Sequence, residues 1–152
     1  MHADSEDANR PRRSALYMPG ANPRALGKGR DVAADVLIMD LEDGVAPEAK
    51  AEARQRIVRM VGEGGYGRRE LAVRINGYGT EWHESDIAAI ATSGVGAIAL
   101  PKVDDPETVT AVAASLEIAE APDDMQIWCM IETARGVLNE DAIASAHPRM
   151  GA

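Results

Sequence analysis

Four apolar runs in this chain end in charge. V-L-I-M-D-L-E-D (Val36 to Asp43) finishes in Asp40, Glu42 and Asp43; Arg74 ends L-A-V-R; Lys102 follows A-I-A-L-P; Glu132 closes Q-I-W-C-M-I-E. Such runs have the look of strands buried on both faces, and carboxylates crowded at one strand end cost free energy unless a cation, a base or water relieves them. Glu132, Glu42 and Asp43 are hard oxygen donors. The three histidines, His2, His83 and His147, lie far apart, and no His or Cys cluster supports zinc or iron. Oxygen-only ligation suits Mg²⁺, which takes one or two carboxylates and fills its octahedron with water and substrate. Arg74 offers a planar fork that matches a carboxylate. A metal beside an arginine makes a receptor for a 2-oxo acid and serves carbon–carbon bond cleavage or formation next to a carbonyl.

The elements that must position these groups alternate. Strands are predicted at about Ser14–Met18, Val36–Leu41, Leu71–Ile75, Ala97–Leu100 and Gln126–Ile131. Helices are predicted from Pro23 to about Ala33, Pro47 to about Val61, Glu81 to about Thr92, Pro106 to about Ala119, and from just after Thr133 to near Ala146. Asn22 with Pro23 makes an N-terminal helix signal, and Thr80 is a candidate cap for the third helix. Five βα units in succession argue a parallel sheet with right-handed crossovers. Two architectures share that pattern, an open doubly wound sheet of flavodoxin type and a (β/α)8 barrel. Each unit takes about 27 residues, so eight would need roughly 215, close to the usual size of the barrel.

Period-two alternation puts Ile38, Asp40 and Glu42 on one face, Ala72, Arg74 and Asn76 on one face, Ile98, Leu100 and Lys102 on one face, and Trp128, Met130 and Glu132 on one face. Each such face is apolar at the bottom and polar at the top, as a barrel with a packed interior and a catalytic mouth requires. The competing structural reading makes Asp40 a buried carboxylate that ties down a loop, and Glu132 a capping acid beside Thr133.

The chain has 152 residues, 45% hydrophobic and 27% charged, with a formal net charge of −9. That charge argues against nucleic acid as a partner, and the Arg54, Arg56 and Arg59 cluster reads as a solvated helix face. No apolar run approaches a membrane span of ~18 residues. The single cysteine, Cys129, reads as a buried small hydrophobe, and its isolation fits a reducing, cytoplasmic setting. Met1 to Arg12 is polar and reads as a flexible tail (1–12) before a partial barrel domain (13–152).

R-R-S-A-L-Y-M-P-G-A-N-P-R (Arg12 to Arg24), D-L-E-D-G-V-A-P-E-A-K (Asp40 to Lys50), V-R-I-N (Val73 to Asn76), L-P-K-V (Leu100 to Val103) and I-E-T-A-R-G (Ile131 to Gly136) together resemble the citrate lyase β subunit/malyl-CoA lyase family, also called the HpcH/HpaI aldolase family. The resemblance is collinear and covers nearly everything after the tail. It implies a (β/α)8 TIM-barrel fold, of which about five βα units are present. It also implies a Mg²⁺-dependent carbon–carbon lyase that acts on a citryl-CoA or malyl-CoA type thioester and yields acetyl-CoA and a 2-oxo acid. By that resemblance Arg74 binds the oxo acid, Glu132 is the Mg²⁺ ligand, and Glu42 and Asp43 stand beside the metal and its waters. Tyr17, Arg24 and Lys28 are then the candidates for holding coenzyme A, and a homo-oligomer is expected.

The family's second metal-binding aspartate follows the sixth strand, and this sequence ends in H-P-R-M-G-A, where that strand should begin. The expectation is a chain that self-associates or is poorly soluble, with weak or absent lyase activity. Two other functions compete: a class II aldolase acting on hydroxy-oxo acids without CoA, and a non-catalytic flavodoxin-like or receiver-like binding module. A receiver needs its acid pair after strand one and its lysine after strand five. Here the acids follow strand two and the lysine strand four.

Overall fold

The computed structural model describes residues 11–151. Its five strands are β1 (Ala15–Pro19), β2 (Val36–Asp40), β3 (Glu70–Arg74), β4 (Ala97–Leu100) and β5 (Gln126–Cys129). All are parallel and lie side by side in chain order. The helices are α1 (Pro23–Lys28), α2 (Lys50–Glu63), α3 (His83–Ile90), α4 (Pro106–Ile118), α5 (Ala134–Leu138) and α6 (Glu140–Ala144), with one 3₁₀ turn at Pro47–Ala49 ahead of α2.

Strand order and layering decide between the two architectures. Leu37, Met39, Val73, Ile98, Leu100 and Ile127 point from the sheet into one core, where they meet Leu26, Ile57, Ile90, Val112 and Leu116 from the helices. The opposite face carries a separate cluster of Val36, Ile38, Ala72, Ala97, Ala99 and Trp128, with no helical residue in it. A doubly wound sheet needs helices on both faces. Strands in sequential order with helices on one face only form the wall of a (β/α)8 barrel, whose other face is the interior. After α6 the chain returns to the sheet. Met150 bridges Ile127 in parallel, the Ile127 N–H donates to the Arg149 carbonyl at 2.8 Å, and the Gly151 N–H donates to the Ile127 carbonyl at 3.1 Å. A sixth position therefore opens beside β5, in barrel order.

The expected face of the fourth strand is corrected by the register. Ala72 aligns with Ala97 and Arg74 with Ala99, so Ala97 and Ala99 face the interior while Ile98 and Leu100 face the helices. All four residues of β4 are buried, and a strand apolar on both faces has no polar side to mark its parity. Asn76 also leaves the face predicted for it. It is buried, and both its backbone N–H and its Nδ2 donate to Asp86 Oδ2 on α3, at 2.9 and 2.6 Å.

Other boundaries moved for local reasons. Helix α1 stops at Lys28 rather than Ala33, and at Gly29 the chain packs so closely on Met18 that a Cβ there would lie 2.9 Å from its Sδ. The last predicted helix breaks at Asn139, whose Nδ2 donates to the Asp104 carbonyl at 2.7 Å. Thr80 does not cap α3; its hydroxyl donates to the Gly77 carbonyl at 2.8 Å and closes a turn. Asn22 does cap α1, accepting from the N–H groups of Arg24 and Ala25 at 3.1 Å each.

The arginines of α2 are not one solvated face. Arg54 reaches the fully buried Asp86 through Nε (2.8 Å) and Nη2 (2.7 Å). Arg56 donates to the Gly20 carbonyl at 3.1 Å and pairs with Glu52. Only Arg59 is largely exposed, at 65%. Residues 1–10 of the expected tail lie outside the described residues. Arg12, at its end, is held across the bottom of the sheet. Its Nε meets Glu70 Oε2 at 2.7 Å, its Nη2 donates to Gln126 Oε1 at 3.2 Å, and its guanidinium lies 4.9 Å from the centre of the Trp128 ring.

Asp86 is the only acceptor in the structure for the Asn76 side chain and for Arg54 Nε among the described residues. Removing one member of a buried charged network strands its partners. Asp86→Ala is therefore expected to cost about 3 kcal/mol or more, read as a fall in the urea midpoint at unchanged m-value.

Candidate functional site

Asp40 and Arg74 are neighbours across the β2–β3 ladder, so their side chains leave the sheet together at its C-terminal edge. Arg74 Nε donates to Asp40 Oδ1 and Nη2 to Oδ2, both at 2.7 Å. The Asp40 carboxylate also accepts the N–H of Glu42 at 2.9 Å and of Gly44 at 2.8 Å. Burial by itself would raise the Asp40 carboxyl, but the arginine and the two amides outweigh it and hold the group below the usual carboxylate range. Arg74 is raised in turn by its hydrogen bond to Asp40. Asp40 thus ties down the loop after β2, and it occupies one edge of the Arg74 fork. A guanidinium has five N–H donors, and three remain, grouped on Nη1 and Nη2.

Two further devices shape the β2 loop. Gly44 approaches Asp40 so closely that a Cβ there would lie 2.3 Å from Oδ2. Lys50, buried at the start of α2, donates from Nζ to the carbonyls of Leu41 (2.7 Å) and Glu42 (2.8 Å). Its ammonium lies 4.9 Å from the centre of the Trp82 ring, and burial pushes its proton affinity down. Sequence reasoning missed Lys50, because a lysine in a helix normally reads as solvated; its carbonyl partners come from a loop eight and nine residues back.

Glu42 is buried beside this anchor. Its Oε1 meets Lys102 Nζ at 2.5 Å. Its Oε2 stands 3.1 Å from Arg74 Nη1, yet that oxygen is buried with no hydrogen-bond donor. Asp43 is mostly exposed, 3.7 Å from Lys102 Nζ. Glu132 arrives from the loop after β5, and its Oε1 accepts the Lys102 N–H at 2.9 Å. The β4 and β5 loops are zipped beneath it: the Met130 N–H donates to the Leu100 carbonyl at 2.9 Å and the Val103 N–H to the Met130 carbonyl at 3.3 Å. Thr133, not Glu132, caps α5, accepting from the Gly136 N–H at 3.0 Å, and its hydroxyl bonds Asp104.

The structure therefore brings Arg74, Glu42, Asp43 and Glu132 into one edge cluster, with Lys102 joining the last three. Tyr17 belongs with them. Arg74 lies 5.1 Å from the centre of its ring, its hydroxyl is 3.8 Å from Met130 Sδ, and burial raises its phenol. Arg24 and Lys28 are exposed on α1, and their side chains make no hydrogen bond or ion pair with the described residues. Cys129 is half-buried, 3.6 Å from Met150 Sδ, its thiol pushed up to about 11 by burial, which leaves it unsuited to nucleophilic work.

The donor chemistry fits a hard divalent cation. Every candidate ligand atom is a carboxylate oxygen, and Glu42 Oε2 is a buried acceptor without a donor. No group of three His, Cys, Asp or Glu side chains converges as a closed cage among the described residues, and Mg²⁺ does not need one.

The family model for HpcH/HpaI aldolase/citrate lyase matches residues 13–152. The chain belongs to this family. Among curated members, a (3S)-malyl-CoA thioesterase of Cereibacter sphaeroides is 45% identical over 92% of this chain and 47% of its own length. An L-malyl-CoA/beta-methylmalyl-CoA lyase of the same organism is 35% identical over 94% of this chain and 47% of its own. A solved citrate lyase β-type structure from Mycobacterium tuberculosis, in complex with magnesium and acetoacetate, superposes with a TM-score of 0.70 at 31% identity, covering 92% of this chain and 53% of that one. Another, with magnesium, acetoacetate and coenzyme A, gives 0.68. The chain spans about half the length of the curated relatives it matches. These members share its α/β barrel-type fold. No helix among the described residues is long and apolar enough to cross a membrane.

The Asp40–Arg74 pair has a defined acid signature. A carboxyl held below its unfolded value of 3.8 contributes stability that is present above that pH and lost as the pH falls through the lower, folded value. Asp40→Asn is expected to lower the denaturation midpoint at pH 7. The gap to the wild type should narrow steadily below pH 3.8, measured by urea titrations across pH.

Proposed function

We propose that this chain forms part of the active site of a Mg²⁺-dependent carbon–carbon lyase that splits a malyl-CoA or citryl-CoA type thioester into acetyl-CoA and a 2-oxo acid. The observation that carries the reading is Arg74. Asp40 grips one edge of its guanidinium at 2.7 Å and leaves three donors on Nη1 and Nη2, with Nη1 3.1 Å from Glu42 Oε2. An arginine already locked in place loses little freedom on binding, so its remaining donors are preorganised for a substrate carboxylate. Glu132 would hold the Mg²⁺ ion, which supplies Lewis-acid polarisation of the oxo oxygen. Glu42, kept at the edge of the cluster by Lys102, and the exposed Asp43 offer acceptors for water around it. Tyr17 covers the arginine and limits solvent at the bound acid. Arg24 and Lys28, exposed on α1, offer cations to the phosphates of coenzyme A.

The reading gains support from relatives named as malyl-CoA enzymes and from related structures containing magnesium with oxaloacetate or with coenzyme A. A second reading, hydrolysis of the malyl-CoA thioester to malate and free coenzyme A, is favoured by one observation: identity is 45% to a thioesterase and 35% to a lyase. A homo-oligomer is proposed for the whole protein.

Product analysis on the full-length protein with malyl-CoA and Mg²⁺ separates these readings. Lyase action yields acetyl-CoA and glyoxylate, and hydrolysis yields malate and a free thiol. Arg74→Lys keeps a charge beside Asp40 but loses the fork, and it is expected to lower kcat/KM at least about 100-fold. Near-normal turnover in that variant, or turnover indifferent to EDTA, would sink the proposal.

A further inference from the structure

Lys102 is not in the set of residues assigned above to metal or substrate, yet it touches three acids of the cluster, two through its ammonium and one through its backbone N–H. Its ammonium meets Glu42 Oε1 at 2.5 Å and Asp43 Oδ2 at 3.7 Å, and its backbone N–H donates to Glu132 Oε1 at 2.9 Å. It reaches these groups from a backbone φ of 55°, a left-handed conformation that a side chain other than glycine rarely adopts without a compensating contact. Strand parity would have sent it to the helix side with Ile98 and Leu100; the left-handed turn brings it back over the sheet edge. An ordinary surface lysine would leave its ammonium in water. This side chain is 55% exposed, but its charged end rests on a carboxylate that is only 8% exposed.

We propose that Lys102 is a positioning residue that acts as a built-in counter-cation: its ammonium holds Glu42 and its N–H aims Glu132, so that Glu132 Oε2 is the carboxylate oxygen left for a divalent ion. This rests on the metal reading above and specifies what sets the site's affinity for the ion. Lys102 opposes the ion in two ways. A fixed positive charge repels an incoming cation, and it withholds Glu42, whose second oxygen has no hydrogen-bond donor. Removing the ammonium leaves buried Glu42 with Arg74, 3.1 Å from its Oε2, as its remaining cation, and frees Oε1 to take a divalent ion.

The test uses Mn²⁺, which takes the same oxygen donors as Mg²⁺ and is counted directly by electron paramagnetic resonance. Wild type, Lys102→Met and Lys102→Arg are compared, with Lys102→Gln as the substitute if the methionine variant does not fold. Lys102→Met is expected to bind Mn²⁺ at least about tenfold more tightly than wild type. It should melt lower without Mn²⁺ and gain more from saturating Mn²⁺ than wild type does. Lys102→Arg, which restores the charge, should return the affinity to within a few-fold of wild type. A residue with only a structural role would lower the melting temperature and leave Mn²⁺ affinity unmoved. Equal or weaker Mn²⁺ binding in Lys102→Met, with normal binding by wild type, overturns this proposal alone. Mn²⁺ binding by neither protein overturns it together with the metal reading.

Discussion

The bidentate pair between Asp40 and Arg74 is the contact around which the site is organised. Two opposite charges leave water at the ends of adjacent strands, which is costly unless every lone pair and proton is used. The geometry meets that demand: the carboxylate accepts from Nε and Nη2 of Arg74 and from two loop amides. The loop after β2 therefore cannot relax without exposing an unsatisfied carboxylate. The orientation of Arg74, the burial of Glu42 and the path of the chain toward Lys50 all follow from it.

The surrounding motifs take on physical meaning against this pair. In D-L-E-D-G the first aspartate is the anchor, and the glycine permits the close approach. Lys50, the closing residue of the longer motif, ties the loop carbonyls of Leu41 and Glu42, the second of which also accepts the Val45 N–H. In M-P-G, the Gly20 N–H donates to the Asp40 carbonyl at 2.8 Å, extending the ladder between β1 and β2 by one step. In I-E-T-A-R-G the threonine caps α5, and the glycine lets that helix dock on the β4 loop, where a Cβ would lie 2.4 Å from the Val103 carbonyl. Membership of the HpcH/HpaI aldolase/citrate lyase family and the fold similarity to citrate lyase β-type structures agree with a wall of barrel strands carrying function at its C-terminal edge.

Much of the wall was legible in the sequence, because five apolar runs at regular spacing leave few other ways to bury themselves. β4 falls on its predicted residues, Ala97–Leu100, and the starts of α1 and α4 at Pro23 and Pro106 follow from proline and cap chemistry. The clustering of Arg74, Glu42, Asp43 and Glu132 could be anticipated from charge at successive strand ends. What escaped depends on partners remote in sequence. Nothing near Asp86 reveals that Arg54 and Asn76 will converge on it, and nothing near Arg12 foretells Glu70 and Trp128. The face of β4 could not be read from a strand apolar on both sides; Lys102, expected at this edge, reaches it through left-handed backbone rather than strand parity.

The Gly44 contact constrains how this site can diversify. Even the methyl of alanine would collide with the oxygen that the Gly44 amide itself binds. Mutational drift toward new acids must leave that turn intact and work through exposed neighbours such as Asp43 or Tyr17. A combinatorial library that randomised the whole D-L-E-D-G segment would spend most of its members on loops unable to close.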